Sequence, residues 1–421
     1  MAKSPVGTNV RVTITIGDGG KDIGPYCNTF KWKSLLNGGY VVYAKFLDPH
    51  FAQFQATVDD KYLADARKKP LKIKFQLIYG AVGDGIDPSK TEERIAYMTD
   101  LRAKTSNGGQ AEGYFEFIAV DPPSWYLNKG DGEGLIWKGK ISKVIKDVIT
   151  KYAPGITPEI SETTDNKENR WQQMRQDPKT FIMSLLEWSA SITNQKTNWV
   201  IASVDEKIVI KEQAELQSKD FGEYSINTDY PAGEDVINWE VLESNYLTNL
   251  QTQLVTAGIS AVSGLYCDKK NPITKDKVVV NDENTGNKKN VNIQADQGFA
   301  KPTDKERGIT FIRTVPESSG GDLGIKYKDY IDGRARGMFL NMLNMLFRMR
   351  IRVYGVPKLS DSSELGVSTI KLNWKDSQGQ PFSFGGKWLI YGYEHIYNNN
   401  KEWTTDLFIS RLDYDAQAQK V

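Results

Sequence analysis

The sequence predicts a β-rich α+β protein: an antiparallel barrel, then an α+β segment, further strands and a polar insertion. Three observations predict it. In the first quarter of the chain apolar and polar residues alternate, which is the period of a half-buried strand. The second quarter contains two segments with the period of an amphipathic helix. The last quarter ends in a predicted hairpin of two aromatic-rich strands.

Strands dominate the prediction for residues 1–120, which we interpret as one antiparallel barrel. Val10 to Ile16 and Leu71 to Tyr79 alternate apolar with polar residues, and Tyr114 to Val120 is a more continuous apolar strand. A short helix is predicted around Thr91–Lys104. Turn signals separate the strands at Gly17-Asp18-Gly19-Gly20 and Asn37-Gly38-Gly39.

Two amphipathic helices define an α+β segment at residues 121–215, which starts at the strand-breaking Asp121-Pro122-Pro123. In the second predicted helix, Asp177–Ile192, Asp177 is a suitable cap and a proline occupies the first helical position. Strands are predicted at Trp199–Ile201 and Lys207–Lys211. The apolar stripe of the first helix consists of Ile141, Val144, Ile145, Val148, Ile149 and Tyr152, and that of the second of Phe181, Ile182, Leu185 and Leu186.

Strands resume at Val236–Val241 and Thr248–Thr256. From Cys267 to Gly308 polar residues dominate. An apolar island at Val278–Val280 and a turn at Asn284-Thr285-Gly286 predict a long exposed hairpin inserted into a domain, with full disorder as the alternative.

A long helix is predicted at Tyr327–Met349, and an alternating strand containing Arg348, Arg350 and Arg352 continues from it. A methionine stripe on a helix is adaptable core filling or, as the alternative, a binding groove. The stripe consists of Met338, Met342, Met345 and Met349.

The predicted C-terminal hairpin comprises Trp388–Tyr397 and Trp403–Leu412, joined by a polar loop. Because successive side chains of a strand point to opposite faces, alternate residues of each strand are predicted to share one face. These faces are Leu389, Tyr391, Tyr393, His395 and Tyr397 on the first strand, and Trp403, Thr405, Leu407 and Ile409 on the second.

Composition limits the classes of function. Lys and Arg total 54 against 53 Asp and Glu, so the chain has no large basic field for holding nucleic acid. Cys27 and Cys267 are predicted to be free thiols of a protein made in a reducing cytoplasm, with a disulfide as the alternative. The N-terminus lacks the apolar region of a signal peptide, and no stretch approaches the roughly 18 apolar residues of a membrane span.

One segment fits part of a phosphate-binding loop, Gly134 to Gly139 followed by Lys140. The next residue is Ile141, where a Ser or Thr would be needed to hold magnesium. The intervening residues are apolar and strand-like. We therefore predict a strand that leads into the first amphipathic helix.

The sequence contains few histidine and cysteine residues that could support catalysis. The only histidines are His50 and His395, neither cysteine has a nearby histidine, and no zinc-ligand spacing occurs. His395 is predicted to be a packed or interface residue. We predict no catalytic, cofactor-binding or metal site, and no enzymatic activity.

Two groups of residues resemble a known family. Arg170-Trp171-Gln172-Gln173, the helix opened by Asp177-Pro178 and the small sheet after it resemble the baseplate hub proteins of contractile phage tails, including the late-control D proteins and the hub part of VgrG. A second motif of that family is similar to the C-terminal part of this chain. Its matching residues are Gly355, Pro357, Trp388, His395, Thr405, Leu407, Ile409 and Arg411.

The resemblance implies two tail-tube-like antiparallel β-barrels with an intervening α+β domain and a polar insertion. The first barrel is expected at 1–120 and the α+β domain at 121–215. The second barrel would comprise 216–265 and 340–421, and the insertion 266–339 would contain the hairpin and the start of the long helix. The implied function is that of a structural hub in the virion tail baseplate, assembled in the host cytoplasm.

The resemblance also implies partners. The hub would be a homotrimeric ring that joins the six-fold tail tube, or a tube-initiator protein, to a three-fold spike. The spike is expected to be a separate protein, because no needle-like repeat occurs in this chain. Tape-measure and baseplate wedge proteins are possible neighbours, DNA would only pass through the lumen, and no membrane is involved.

Three alternatives remain. The chain could be the hub of a long non-contractile tail, or a tail-associated carbohydrate-binding or lytic protein. Tryptophans such as Trp32, Trp125 and Trp403 could stack on sugar, although interfaces use the same residues. The acid pairs Asp59-Asp60 and Glu92-Glu93 could serve a glycosidase, although such pairs are usually solvated surface.

Overall fold

A computed structural model of the chain describes side chains over most of 10–243 and 348–411. The described ranges are 10–17, 20–48, 54–55, 70–79, 91–105, 113–129, 134–165, 167–187, 189–193, 199–227, 235–243, 348–356, 359, 365–375, 378–380, 384–398 and 402–411. Between residues 261 and 314 it describes the backbone of four strands only.

The described elements are mostly strands. The strands are β1 (Val10–Ile16), β2 (Cys27–Leu35), β3 (Gly39–Leu47), β4 (Lys72–Tyr79), β5 (Thr91–Thr105), β6 (Gly113–Val120), β7 (Ile136–Lys138), β8 (Thr157–Ile160), β9 (Arg170–Gln172), β10 (Trp199–Val204), β11 (Lys207–Glu212), β12 (Asp220–Asn227), β13 (Val236–Glu243), β14 (Ala261–Cys267), β15 (Asp276–Asp282), β16 (Lys288–Ile293), β17 (Ile309–Thr314), β18 (Arg348–Tyr354), β19 (Thr369–Lys375), β20 (Gly386–Asn398) and β21 (Glu402–Arg411). The helices are α1 (Pro122–Leu127), α2 (Ile141–Tyr152) and α3 (Pro178–Glu187), and single 3-10 turns occur at Gly24–Tyr26 and Gln213–Glu215.

A twelve-stranded sheet joins the two ends of the chain. Its main path runs β1-β4-β5-β6-β3-β2-β20-β21-β18-β13, and β19 pairs with both β20 and β12. The β2–β20 pair connects the N-terminal strands to the C-terminal strands, in an antiparallel register that places Trp32 opposite His395. All pairs of this sheet are antiparallel except β12 with β19, which is parallel.

The predicted alternation of β1 and β4 is confirmed. Val10, Val12 and Ile14 are buried, while the intervening residues of β1 are exposed or half-buried. In β4 the buried residues are Ile73, Phe75, Leu77 and Tyr79. The apolar faces of the two strands pack into the same core, as the period of two requires.

The helix predicted around Thr91–Lys104 is wrong, because this segment is β5. Glu, Ala, Leu, Arg and Lys favour a helix locally, but β5 lies between two partner strands. It pairs with β4 on one side and β6 on the other, with a register shift between Met98 and Asp100. Hydrogen bonding to two neighbours and burial of one face outweigh the small differences in local propensity.

One hydrophobic core lies under both halves of the large sheet. Aromatic residues from N-terminal and C-terminal strands meet in it, since the ring centroids of Trp32 and Phe75 are 5.2 Å apart and those of Tyr79 and Trp403 also 5.2 Å. The fully buried large side chains include Trp32, Trp374, Trp388, Trp403, Tyr40, Tyr393, Phe30, Phe46, Phe75, Phe115 and Phe117. The two halves are therefore one packed unit.

The α+β segment has a second core. Helix α2 extends from Ile141 to Tyr152, the first and last residues of the predicted apolar stripe. The stripe is buried in this core except for Tyr152, which is partly buried and packs against it. In α3 the predicted apolar face is buried, and the Asp177 Oδ1 accepts a hydrogen bond from the Thr180 N–H at 2.8 Å, which confirms the predicted cap. The two predicted strands are confirmed as β10 and β11, which pair antiparallel, and β8 is parallel to β11.

Helix α3 ends at Glu187 rather than at the predicted Ile192. The residues after it use their backbone groups for tertiary pairing. The N–H of Thr164 donates to the Ala190 carbonyl at 3.0 Å, and the N–H of Ile192 donates to the Glu162 carbonyl at 2.9 Å. This extended pairing is incompatible with another helical turn.

The C-terminal hairpin is confirmed as β20 and β21, but the face predicted for its first strand is half wrong. A bulge between Ile390 and Gly392 shifts the register of β20. An extra residue reverses the alternation, so Trp388 and Ile390 share the sheet core with Tyr393 and Tyr397. Leu389 is buried outside that core cluster, and Tyr391 is half-buried. The face predicted for β21 is confirmed, with Trp403, Leu407 and Ile409 in the core and Thr405 buried.

The insertion contains more pairing than one hairpin. Strands β15 and β16 form the predicted hairpin, and β14 and β17 extend it to a four-stranded sheet. Strand β14 starts at Ala261, before the predicted boundary at residue 266, and pairs with strands of the insertion.

Two predictions fall largely outside the described residues: the strand Thr248–Thr256 and most of the methionine helix. The end of that helix is wrong, since Met349 lies in strand β18 and is buried in the sheet core. The alternating strand with Arg348, Arg350 and Arg352 is confirmed as β18.

Candidate functional site

The segment that resembled a phosphate-binding loop is a strand followed by a helix, as predicted. Residues 136–138 form β7, and α2 begins at Ile141. The Gly139 carbonyl accepts a hydrogen bond from Trp171 Nε1 at 3.0 Å. Among the described side chains, no group of three or more His, Cys, Asp or Glu lies close enough to hold a metal ion. None of the helices formed by the described residues is long and apolar enough to cross a membrane.

His395 lies at the join between the two halves of the sheet and is fully buried. Its Nδ1 accepts from Trp403 Nε1 at 3.1 Å and lies 2.9 Å from the Thr405 hydroxyl, which itself accepts from the Val356 N–H. The Trp32 ring packs against the imidazole with centroids 5.3 Å apart. Burial lowers the pKa of His395 to about 3, so the imidazole is neutral at neutral pH. The prediction of a packed histidine holds.

Gly355 belongs to the same cluster. Its N–H donates to the Trp403 carbonyl at 2.9 Å, and a β-carbon at this position would overlap the Trp403 ring. Three residues that carry the family resemblance, Gly355, His395 and Thr405, thus belong to one buried cluster, and a fourth, Trp388, is fully buried elsewhere on β20. The observed contacts of these residues are packing and hydrogen bonding.

The residues named for sugar chemistry do not form a site. Trp32 and Trp403 are fully buried, so neither can stack on a ligand. Trp125 is half-buried, with the Lys129 ammonium 3.0 Å from its ring centroid. Glu92 is buried and Glu93 is exposed, because adjacent residues of β5 point to opposite faces, and the Asp59-Asp60 pair lies outside the described residues.

Cys27 is a free, buried thiol whose Sγ lies 3.4 Å from the Thr29 carbonyl. Burial raises its pKa to about 12, so the reactive thiolate is not populated at neutral pH. The prediction of a free thiol is confirmed for Cys27. The side chain of Cys267 is outside the description.

A polar interlock, formed by Asp205, Glu206 and Asn37, fastens the α+β segment to the large sheet. Asp205, in the β10–β11 turn with φ of 52°, accepts from the Ile95 N–H of β5 at 2.9 Å. Glu206 forms a salt bridge with Lys72 at 3.1 Å and accepts from the Tyr97 hydroxyl at 3.3 Å. These contacts bind the turn across two strands of the sheet.

Asn37 forms the other half of the interlock. It occupies the left-handed region in the β2–β3 turn, with φ of 60°, and its Oδ1 accepts from the Ile201 N–H at 2.8 Å. The adjacent Gly39 lies against the buried carboxylate of Asp121, where a β-carbon would overlap. Asp121 accepts from the N–H groups of Tyr40 and Ser124, at 2.9 and 3.0 Å, and so caps α1.

Replacing Asp205 by Ala is expected to lower the free energy of unfolding by about 1–3 kcal/mol, because the partly buried Ile95 N–H loses its acceptor. Asp205→Asn is the matched control, since an amide oxygen can accept the same hydrogen bond and Asn tolerates positive φ. Urea denaturation measures the difference, and amide hydrogen exchange at Ile95 should accelerate only in the Ala variant. Equal losses in both variants would mean that the carboxylate charge, not the hydrogen bond, stabilises the interlock.

An ion pair between a buried carboxylate and a half-exposed arginine links the C-terminal strands. Asp406 of β21 is buried and accepts two hydrogen bonds from Arg352 of β18, at 2.6 and 2.9 Å. Arg350 lies 4.0 Å from the same carboxylate and forms a second salt bridge with Glu240 of β13 at 2.6 Å. The bidentate pair joins β18 to β21, and the Arg350 salt bridge joins β18 to β13. The pKa of Arg352 is raised, mainly by its hydrogen bonds to Asp406.

The interlock and the ion pair were not recognised in the sequence. Asn37 was assigned only to a turn signal and Asp121 only to a strand break. Asp205 and Asp406 carried no local signal, because their partners are more than 50 residues away in sequence. Only the arginine alternation of β18 pointed towards a charged face.

No family model and no curated protein matches the chain. Solved structures do match. A tail protein from Neisseria meningitidis MC58 has a TM-score of 0.53 at 9% identity, over 96% of this chain and 97% of that chain. The 43 kDa tail protein of prophage MuSo2 from Shewanella oneidensis has a TM-score of 0.55 at 11% identity, over 96% and 98%.

A third match is in a Francisella PdpA–VgrG complex, with a TM-score of 0.50 at 9% identity. It covers 97% of this chain but only 59% of that chain. At these identities the likeness concerns the fold. The chain therefore has the β-rich fold of phage tail proteins and of part of a VgrG complex, over nearly its whole length.

Proposed function

We propose that this chain is a structural hub of a phage baseplate. The observation that supports this most is the match to two tail proteins over almost the full length of both partners. Such coverage means that the likeness extends along the chain and is not limited to one common motif. The two groups of residues that resemble the late-control D and VgrG hub family point to the same function.

In this proposal three copies form a ring that joins a six-fold tail tube to a separate three-fold spike and encloses part of the DNA conduit. The tube-like units would be 1–120 and 216–265 with 340–421, separated by the α+β domain at 121–215 and the insertion at 266–339. The pairing of β2 with β20 and the shared core support a rigid assembly of the two units. Rigidity is what a ring that transmits force between tube and spike requires.

The proposed partners are the tail tube or tube initiator, the spike, and the tape-measure and wedge proteins. The function is structural, not enzymatic, and the site is the virion tail. A hub of a long non-contractile tail would use the same ring. Co-purification with sheath-associated baseplate proteins, as opposed to tape-measure and tube proteins alone, distinguishes the two tail types.

The ring makes a testable prediction about mass. Light scattering of the chain co-expressed with its spike should give three times the 47.4 kDa chain mass plus the mass of the bound spike, and negative-stain images should show a ring. A stable monomer in the presence of the spike would contradict the hub proposal. Glycan-binding and peptidoglycan-clearing assays should both be negative, and a positive result would favour the carbohydrate-binding or lytic alternative.

A matched pair of variants sharpens this test. Strand β13 is the last strand of the main path, and Leu242 on it is 39% exposed. Leu47 on the interior strand β3 is 38% exposed. If end strands meet between copies, as closure of a ring requires, Leu242→Lys should reduce the trimer fraction and Leu47→Lys should not.

A further inference from the structure

The two-stranded sheet of β7 and β9, which we name the β7–β9 ribbon, has two different faces. Its inner face is anchored: Trp171 and Gln173 are buried, and Trp137 Nε1 donates to Gln173 Oε1 at 3.1 Å. The Gln173 N–H donates to the Leu135 carbonyl at 2.8 Å, and the Gly139 N–H to the Asn169 carbonyl at 3.0 Å. The ribbon is therefore held firmly at both ends.

The outer face of the ribbon exposes large apolar side chains despite this anchoring. Ile136 is 68% exposed, and Met174, just beyond β9, is 63% exposed. They lie on the same face, because Ile136 pairs with Gln172 and Met174 is two residues further along the strand direction. These are the two most exposed large hydrophobic residues in the described part of the chain.

Basic residues surround these two side chains. Lys138 and Arg170 are paired across the ribbon, and Lys167 and Arg175 are exposed at its ends. Among the described residues that flank the ribbon, the acid beside these basic side chains is Glu168, which forms a salt bridge with Lys138 at 2.7 Å. The Glu168 carboxylate also interacts electrostatically with Lys167 and Arg170, so one acid stands against four basic side chains. Since the whole chain carries 54 basic and 53 acidic residues, this face concentrates positive charge locally.

We propose that the outer face of the β7–β9 ribbon is a docking surface for a segment of another protein that carries acidic residues beside aliphatic or aromatic ones. The charge complementarity defines the acidic part of that segment, and Ile136 and Met174 define the apolar part. Methionine is well suited to such contacts because its side chain is flexible and polarizable. The surface lies on the α+β segment, so it is additional to the ring that the proposed hub would form, and it does not depend on that proposal.

The test uses the full chain and a displayed library of random peptides. Enriched peptides should combine Asp or Glu with aliphatic or aromatic residues, and one of them, labelled, is then titrated by fluorescence anisotropy. Met174→Glu and Arg170→Glu should each weaken its binding by about tenfold or more, which corresponds to the loss of one substantial contact. Met183→Glu is the control, since Met183 is 40% exposed but lies on α3, and it should change binding less than about twofold. Melting curves verify that each variant is folded.

Other results would overturn the proposal. Enriched peptides without acidic residues, or binding that the ribbon variants leave unchanged, would contradict it. Tighter binding of a short DNA duplex than of the peptide, lost in Arg170→Glu, would assign the surface to nucleic acid instead. Self-association that Met174→Glu abolishes would assign it to contacts between copies of this chain.

Discussion

Replacing Leu185 by Ala is expected to lower the free energy of unfolding by about 2–5 kcal/mol. Leu185 is buried on α3 in the core of the α+β segment, together with Ile145 and Ile149 of α2. The substitution removes the isopropyl group and leaves a cavity that the neighbours fill only in part. The loss is a large fraction of the roughly 5–15 kcal/mol stability of a typical domain.

Met183→Ala is the control for this prediction. Met183 lies two residues earlier on the same helix, is 40% exposed, and also changes a long apolar side chain to a methyl group. We expect a change within about 0.5 kcal/mol, as for most surface substitutions. Thermal and urea denaturation of both variants and the parent provide the comparison. Equal destabilisation would mean that the two faces of α3 are assigned wrongly.

The stability of the chain is expected to fall as the pH decreases from about 6.5 towards 3, because of His395. An exposed imidazole in the unfolded chain has a pKa near 6.5, whereas burial lowers the pKa of the folded-state imidazole to about 3. Between these values the unfolded state binds a proton that the folded state does not. The stabilising contribution is complete above the unfolded pKa, and the loss approaches about 1.4 kcal/mol per pH unit within the window.

The variant that tests this is His395→Asn, whose amide oxygen can replace Nδ1 as the acceptor for Trp403. It loses packing with Trp32, so its absolute stability falls, but the histidine-linked slope between pH 6.5 and 5 should disappear. Urea denaturation at several pH values measures that slope. His50→Asn is the control for the second histidine and should retain the slope. If the parent and His395→Asn have the same slope, the imidazole is not the group that titrates.

Local sequence predicted the α+β segment best. The bounds of α2, the cap at Asp177 and the apolar faces of both helices were all found from periodicity and terminal signals. These features depend on residues within one or two helical turns of each other. A single stripe of apolar residues is enough to define which face is buried, although the partner of that face is unknown.

Predictions from local sequence were wrong where a partner far away in the chain determines the secondary structure or the buried face. Residues 91–105 contain good helix formers, yet they form β5 because β4 and β6 supply hydrogen bonds along both edges. The bulge in β20 reversed the face of Leu389 and Tyr391, and the glycine at the bulge, Gly392, was not recognised as its signal. Helix α3 ended early because the backbone after it pairs with residues 162–164.

The candidate site was predicted only in part. The sequence indicated a packed His395 and no phosphate loop, and the structure agrees on both points. It did not reveal that His395 joins the two halves of the sheet, or that Asp205 and Asn37 hold the α+β segment against it. The contacts of His395 with β2, of Asp205 with Ile95 and of Asn37 with Ile201 each join residues more than 100 positions apart in sequence. No local sequence pattern encodes such contacts.

The sequence by itself determined the β-rich class, the two helices, the terminal hairpin and the motifs that resemble phage hub proteins, because alternation, capping and turn signals act over short distances. Only the tertiary structure decided that the N-terminal and C-terminal strands share one sheet and one core. It also decided which charges are buried and which apolar side chains of the β7–β9 ribbon stay exposed. The physical reason is that strand pairing and burial depend on partners far away in the chain, whereas helix formation and capping do not.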